Sequence, residues 1–285
     1  MRLGAIGIWS SAFRSEAPEV GDAARELEDL GFGALWLPGG MGGDVFGISS
    51  RLLTATGHVV VATGVLNIWA HDPVEVAEAV RGLGATFPDR FLLGLGVSHA
   101  PLVERMGHVY DHPFQAMVDY LDALDRAPTP VAPAERVLAA LGPRMLELSR
   151  ERAAGAHPYL VTPEHTKFAR DALGPGPVLA PEVKVALEPD ATRARALARQ
   201  HLAIYLGLPN YTNNLRRFGM TDADLADGGS DRFVDAVVAW GEPAAVKERV
   251  QAHFDAGADH VCIQLLTEEP GIPRQGWRDL AAAVL

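Results

Sequence analysis

The feature that most constrains this chain is a series of eight apolar runs, each bounded by turn-forming residues. They cover residues 3–9, 34–38, 59–65, 91–97, 136–141, 156–161, 178–187 and 260–266. Their hydrophobicity is nearly continuous, which suits parallel strands buried on both faces rather than half-exposed strands. The segments between them repeat one grammar of amphipathic helix, glycine, buried strand. "DAARELEDLGFGALWL" puts Gly31 at the junction, "ELSRERAAGAHPYLV" puts Gly155 there, and "VKERVQAHFDAGADHVCIQLL" puts Gly257. Gly31 is placed to end its helix in the left-handed conformation. Pro73 and Pro113 fit first-turn helical positions. This pattern predicts an α/β fold, a (β/α)8 TIM barrel.

The 285 residues fit one such barrel, so residues 1–285 are read as a single domain. The gap between the seventh and eighth runs is too long for one crossover helix, which predicts a helical insertion at 190–241. The chain has 36 acidic and 25 basic residues and a net charge of -11, an unsuitable surface for nucleic acid or anionic membranes. No signal-peptide core and no apolar stretch of bilayer length is present, so a cytoplasmic protein is expected. Cys262 is the one cysteine and sits inside an apolar run, leaving neither a disulfide framework nor a cysteine metal site. No metal is expected. "HVYDH" at 108–112 contains two imidazoles and a carboxylate, but Pro113 follows at once, so Asp111 or His112 is read as a helix cap.

Barrel active sites lie at the C-terminal ends of the strands, where loops vary without disturbing the core. The run "FLLGLGVSHAP" therefore delivers Ser98 and His99 to the mouth. Trp9 follows the first strand, and Asn67 and Trp69 follow the third. Trp69 is assigned to a substrate pocket wall. Dinucleotide, P-loop and nucleophile-elbow signatures are absent. Arg216 and Arg217, adjacent on a helical stretch, are assigned to solvent.

The stretches "GFGALWLP", "VVVATGVLNIWAHDP", "DRFLLGLGVSHAPLVE", "VLAALGPRMLELSRERAAGAHPYLVTPEH" and "WGEPAAVKERVQAHFDAGADHVCIQLL" resemble the bacterial luciferase-like superfamily. More narrowly they resemble its actinobacterial branch of oxidoreductases that use the deazaflavin coenzyme F-420. The resemblance implies hydride transfer with a small carbonyl, alcohol or activated alkene. It also implies a non-prolyl cis bond at Gly64-Val65, supporting the cofactor ring. Trp9, Asn67 and Ser98 would contact the cofactor, Leu141, Gly142 and Pro143 would meet its phosphate-bearing side chain, and Leu160, Val161 and Thr162 would line the same side. His99 would manage the proton. The sugar-phosphate-oxidising relatives carry a glutamate at the position of His99 and a histidine after the second strand, so glucose 6-phosphate is an unsuitable substrate here. The resemblance admits a homodimer. It leaves two further readings open, an FMN-dependent monooxygenase and a non-catalytic ligand-binding barrel.

Overall fold

The structure is a computed structural model that describes residues 1–40 and 43–285. Its strands are β1 (Ile6–Trp9), β2 (Ala34–Gly39), β3 (Val60–Asn67), β4 (Phe91–Gly96), β5 (Arg136–Leu138), β6 (Gly155–Ala156), β7 (Val178–Leu179), β8 (Glu182–Ala186), β9 (Val238–Trp240) and β10 (Val261–Leu265). They form one curled, wholly parallel sheet in the order β7-β6-β5-β4-β3-β2-β1-β10-β8-β9. The seventh run is split because Pro181 has no amide hydrogen to give a ladder. Backbone bonds nevertheless run from it to both sides. The amides of Ala180 and Glu182 donate to Ala156 O and Pro158 O, while Cys262 N–H donates to Pro181 O. One chain segment thus joins the two flanks of the sheet.

The predicted strands at 136–141 and 156–161 end early, at Leu138 and Ala156. Pro158 truncates the second, and Gly142 with Pro143 turns the first into a helix. Strand β9 was not anticipated. It lies within 190–241, which also holds the helices Ala191–Leu206, Pro209–Arg217, Asp222–Leu225 and Asp231–Val237. These pack around Phe233, Leu202 and Leu215 in a cluster separate from the main core. Gly31 ends its helix at φ 104°, and Pro73 and Pro113 open theirs. His112 occupies the helix-capping position, but its side chain makes no capping bond and contacts the Asp111 carboxylate at 2.7 Å instead. Among the described residues, no helix is long and apolar enough to cross a membrane.

Strand β3 carries one residue more than either neighbour. It advances from Ala62 to Leu66 while β4 advances only from Leu92 to Leu95, and the register against β2 slips between Leu37 and Gly39. The extra residue is a bulge, which bends the strand and re-aims the side chains beyond it. The cis peptide Gly64-Val65 lies within it. Thr63 Oγ1 bridges the disrupted ladder, donating to Gly94 O at 2.8 Å and accepting from Gly94 N–H at 2.7 Å. A Cβ on Gly94 would lie 1.9 Å from Thr63 O, and one on Gly96 would lie 2.5 Å from a Val65 methyl. The glycines of "FLLGLG" are therefore what lets β4 approach the bulge.

The space enclosed by the strands is filled by Trp36 among small neighbours, including Ala34, Ala62, Ala180 and Cys262. His157 stacks on Trp36 at 4.3 Å, and Trp36 Nε1–H donates to His260 Nε2 at 3.0 Å. Glu182 and Lys184, two apart on β8 and so on one face, point into the same interior and pair at 2.8 Å with no exposure of either side chain.

Candidate active site

At the C-terminal ends of β1, β3, β4, β5 and β6 the loops surround two adjoining cavities of about 530 and 310 Å³. They share a wall of Val65, Gly96, Ser98, His99, Ala139, His157, Tyr159 and Tyr211. The larger adds Trp9, Gly64 and Asn67, and the smaller adds Leu141, Gly142, Met145, Asn214 and Arg217. Both volumes lie within the roughly 300–1,000 Å³ of ordinary small-molecule sites.

The bulge and its neighbours set the wall of the larger cavity. Trp9 Nε1–H donates to Gly64 O at 3.0 Å, pinning the indole over the cis bond. Asn67 is buried, and its Oδ1 accepts the Trp69 amide hydrogen at 3.1 Å. Ser98 has a positive φ of 59°. Its carbonyl accepts from Tyr110 Oη and Asn210 Nδ2, which ties the segment after β4 to the helix Pro209–Arg217. Its own hydroxyl is buried without a partner. His99 stands at the cap of the short helix Ala100–Arg105, but gives that helix no side-chain bond. Its ring packs on Tyr211 at 5.1 Å and its Nδ1 is buried and unbonded. Burial holds this imidazole below the usual histidine range, so it is neutral at pH 7.

Several expected site residues stand elsewhere. Trp69 lines neither cavity; it sits in the turn after β3 ends at Asn67, with its Nε1–H tied to Val97 O at 2.9 Å and its ring leaning on Tyr110. Leu160, Val161 and Thr162 are buried but also stay off the cavity walls. The early end of β6 shifts their place: Leu160 N–H donates to Glu182 Oε2, and Thr162 caps the helix Pro163–Leu173. Pro143 is the first residue of the helix Pro143–Arg152 and leaves the lining to Leu141 and Gly142. Arg216 pairs with Asp222 in solvent. Arg217 is exposed and yet reaches the rim of the smaller cavity, with a guanidinium nitrogen 3.8 Å from where a Gly142 Cβ would stand.

Sequence reasoning missed the inner wall. His157, Tyr159, Tyr205 and Tyr211 all face the larger cavity. Tyr159 Oη is held by Tyr205 Oη at 2.7 Å and donates to Gln264 Oε1 at 2.8 Å, while Lys184 Nζ sits 3.9 Å from the Tyr159 ring centroid. The available signal was Pro158, which ends the strand one residue after His157 and so puts that side chain at the mouth.

Comparison with known proteins agrees with this architecture. Residues 4–135 match the luciferase-like monooxygenase family. No curated protein matches the chain in sequence. Among solved structures, an F-420-dependent secondary alcohol dehydrogenase in complex with an F-420–acetone adduct is 13% identical, with a TM-score of 0.71 over 100% of this chain and 98% of that one. A coenzyme F-420-dependent tetrahydromethanopterin reductase from Methanopyrus kandleri is 14% identical, with a TM-score of 0.71 over 98% of each chain. The oxygenating constituent of 3,6-diketocamphane monooxygenase from Pseudomonas putida, a type II Baeyer–Villiger enzyme in complex with FMN, is 14% identical, with a TM-score of 0.68 over 99% of this chain and 98% of that one. The chain therefore shares the fold of both deazaflavin-dependent and flavin-dependent oxidoreductases.

Proposed function

We propose that this chain is a luciferase-like oxidoreductase that moves a hydride between coenzyme F-420 and a small alcohol, carbonyl or activated alkene. In this reading it is one domain over residues 1–285, a closed (β/α)8 barrel with a helical insertion at 190–241. One observation carries the reading. Four unpartnered buried polar atoms, Ser98 Oγ, His99 Nδ1, His157 Nε2 and Asn214 Oδ1, line one mostly apolar space at the strand ends. Buried polar groups in folded proteins are nearly always bonded. Orphans gathered on a cavity therefore fit an absent ligand with several polar groups.

The residues fit a deazaflavin or flavin. Trp9, Gly64, Val65, Asn67 and Ser98 would hold its ring system. Leu141 and Gly142, at a helix N-terminus and beside Arg217, would meet its anionic side chain. Preference for F-420 rests on the motif resemblance and on the two F-420-dependent enzymes among the fold's relatives. The bound cofactor supplies the two-electron hydride chemistry. The protein's part is position, exclusion of water and the proton. His99 is neutral, so it accepts the hydroxyl proton of an alcohol more readily than it donates one to a carbonyl.

Titrating the protein with oxidised F-420 and, separately, with FMN tests the cofactor. At 100 times its dissociation constant a ligand adds about 2.7 kcal/mol of stability, visible as a raised thermal midpoint. Preference for FMN would move the protein to flavin chemistry, and no response to either would leave a barrel that binds some other ligand. His99→Ala is expected to lower turnover about 100-fold or more while changing F-420 affinity less than about tenfold. In the wild type, alcohol oxidation should rise with pH as His99 deprotonates and level off below about pH 6.5, the ordinary histidine value. An unchanged rate in the variant removes His99 from the chemistry.

A further inference from the structure

His157 is 1% exposed on the cavity wall, as deeply buried as Asn67. Its Nδ1 lies 2.7 Å from Ala180 O. A carbonyl oxygen only accepts, so Nδ1 carries the hydrogen and the tautomer is fixed. The ring is held flat against Trp36, with an interplanar angle of 17°. Nε2 has no partner, and a Cβ on Gly64 would stand 3.2 Å from it. Residues on other sides of the cavity offer donors as well as acceptors, but this atom offers a lone pair alone. Burial pushes the imidazole down to about 4, which keeps that lone pair bare at neutral pH.

We infer that His157 is a ligand-binding residue whose Nε2 accepts a hydrogen bond from an N–H or O–H of the bound molecule beside the Gly64-Val65 bulge. The inference rests on the proposed cofactor site and makes it selective. A ligand that puts an acceptor or an apolar edge at this point leaves Nε2 desolvated and unbonded, whereas a donor satisfies it. The donor has two sources, a ring substituent of the cofactor or the hydroxyl of an alcohol substrate. Either way, the molecule's orientation along the bulge is set by an atom that the fold itself holds fixed through Ala180 and Trp36.

The test is nitrogen NMR on 15N-histidine-labelled protein, observing His157 Nε2 with no ligand, with F-420, with FMN, and with F-420 plus 2-propanol. Binding of each cofactor is followed independently by thermal midpoint. In the free protein Nε2 should resonate as an unprotonated ring nitrogen, and a hydrogen bond should move it upfield. A shift on adding F-420 or FMN assigns the donor to that cofactor, and one that needs 2-propanol assigns it to the substrate. Alongside, His157→Phe keeps a ring against Trp36 and removes the acceptor; it should weaken the donor ligand about five- to tenfold with the other ligand unaffected. A cofactor that binds while Nε2 never moves overturns the inference and leaves the hydride reading standing. A shift with FMN in the absence of F-420 binding supports the inference and overturns the F-420 reading, and failure of every probe to bind overturns both.

Discussion

Acidification should unfold this protein steeply between about pH 6 and 4.5, because four buried histidines are held neutral in the folded state. Burial pushes His157, His165 and His260 down to about 4 and His253 down to about 3. Desolvation sets each shift, against the pull of the carbonyl bonds made by His157, His165 and His260, which also suit a charged ring. His260 has a further reason to stay neutral: Nδ1 donates to Gly4 O, and Nε2 must accept from Trp36 Nε1–H, so a second proton would set donor against donor. In the unfolded chain all four titrate near pH 6.5. Between these values the unfolded state binds about four more protons than the folded state, so stability falls as pH falls. Each proton is worth about 1.4 kcal/mol per pH unit, giving a slope near 5 kcal/mol per unit, comparable with the whole stability of a typical domain. Urea midpoints measured from pH 7.5 down to 5 should therefore decline sharply, starting just above pH 6. A slope near one proton or less would mean that these imidazoles accept protons while folded.

This dependence was hidden in the sequence for a reason that also explains what was legible. Periodicity reports which face of an element is apolar, so the parallel strands, their order of appearance and the delivery of Ser98 and His99 by "FLLGLG" could be read directly. It says little about what fills the space inside the curled sheet. His157 and His260 sit at the edges of apolar runs and gave no periodic signal; their burial comes from Trp36, which lies far away in sequence and touches both. Strand ends were the weakest point. A continuous strand over 156–161 places Leu160 to Thr162 at the mouth, whereas the strand ends at Ala156 just before Pro158, and His157 faces the cavity in their stead. Trp69 has a similar cause: β3 ends at Asn67, and the turn after it, closed by Ala70 N–H on Asn67 O, takes the indole off the strand's cavity face. Arg217 shows a different limit: its exposure fits a helix surface, but only the packing of Pro209–Arg217 across the strand ends brings it to the cavity rim.

The second large effect is expected at the ion pair beneath the site. Replacing Lys184 with Met should destabilise the protein by about 3–5 kcal/mol, because it leaves the Glu182 carboxylate buried without its counter-charge. Glu182 would keep one bond, from Leu160 N–H at 3.2 Å, which is too little to solvate a charge inside the curled sheet. Removing both partners as Glu182→Leu with Lys184→Met should recover most of the loss, since a desolvated pair is often matched or exceeded by apolar packing of similar volume. Denaturant unfolding of the two single variants and the double closes the cycle. The comparison also separates structure from chemistry. Lys184 Nζ lies under Tyr159 and Tyr205, whose hydroxyls bond to each other and whose rings face the larger cavity. If the pair only supports that wall, the double variant, once folded, should bind cofactor and turn over near the wild-type rate. Full stability with lost turnover would instead make the lysine's charge part of the active site's field. A single Lys184→Met variant that costs under about 1 kcal/mol would show that Glu182 sheds its charge or finds water when its partner is gone.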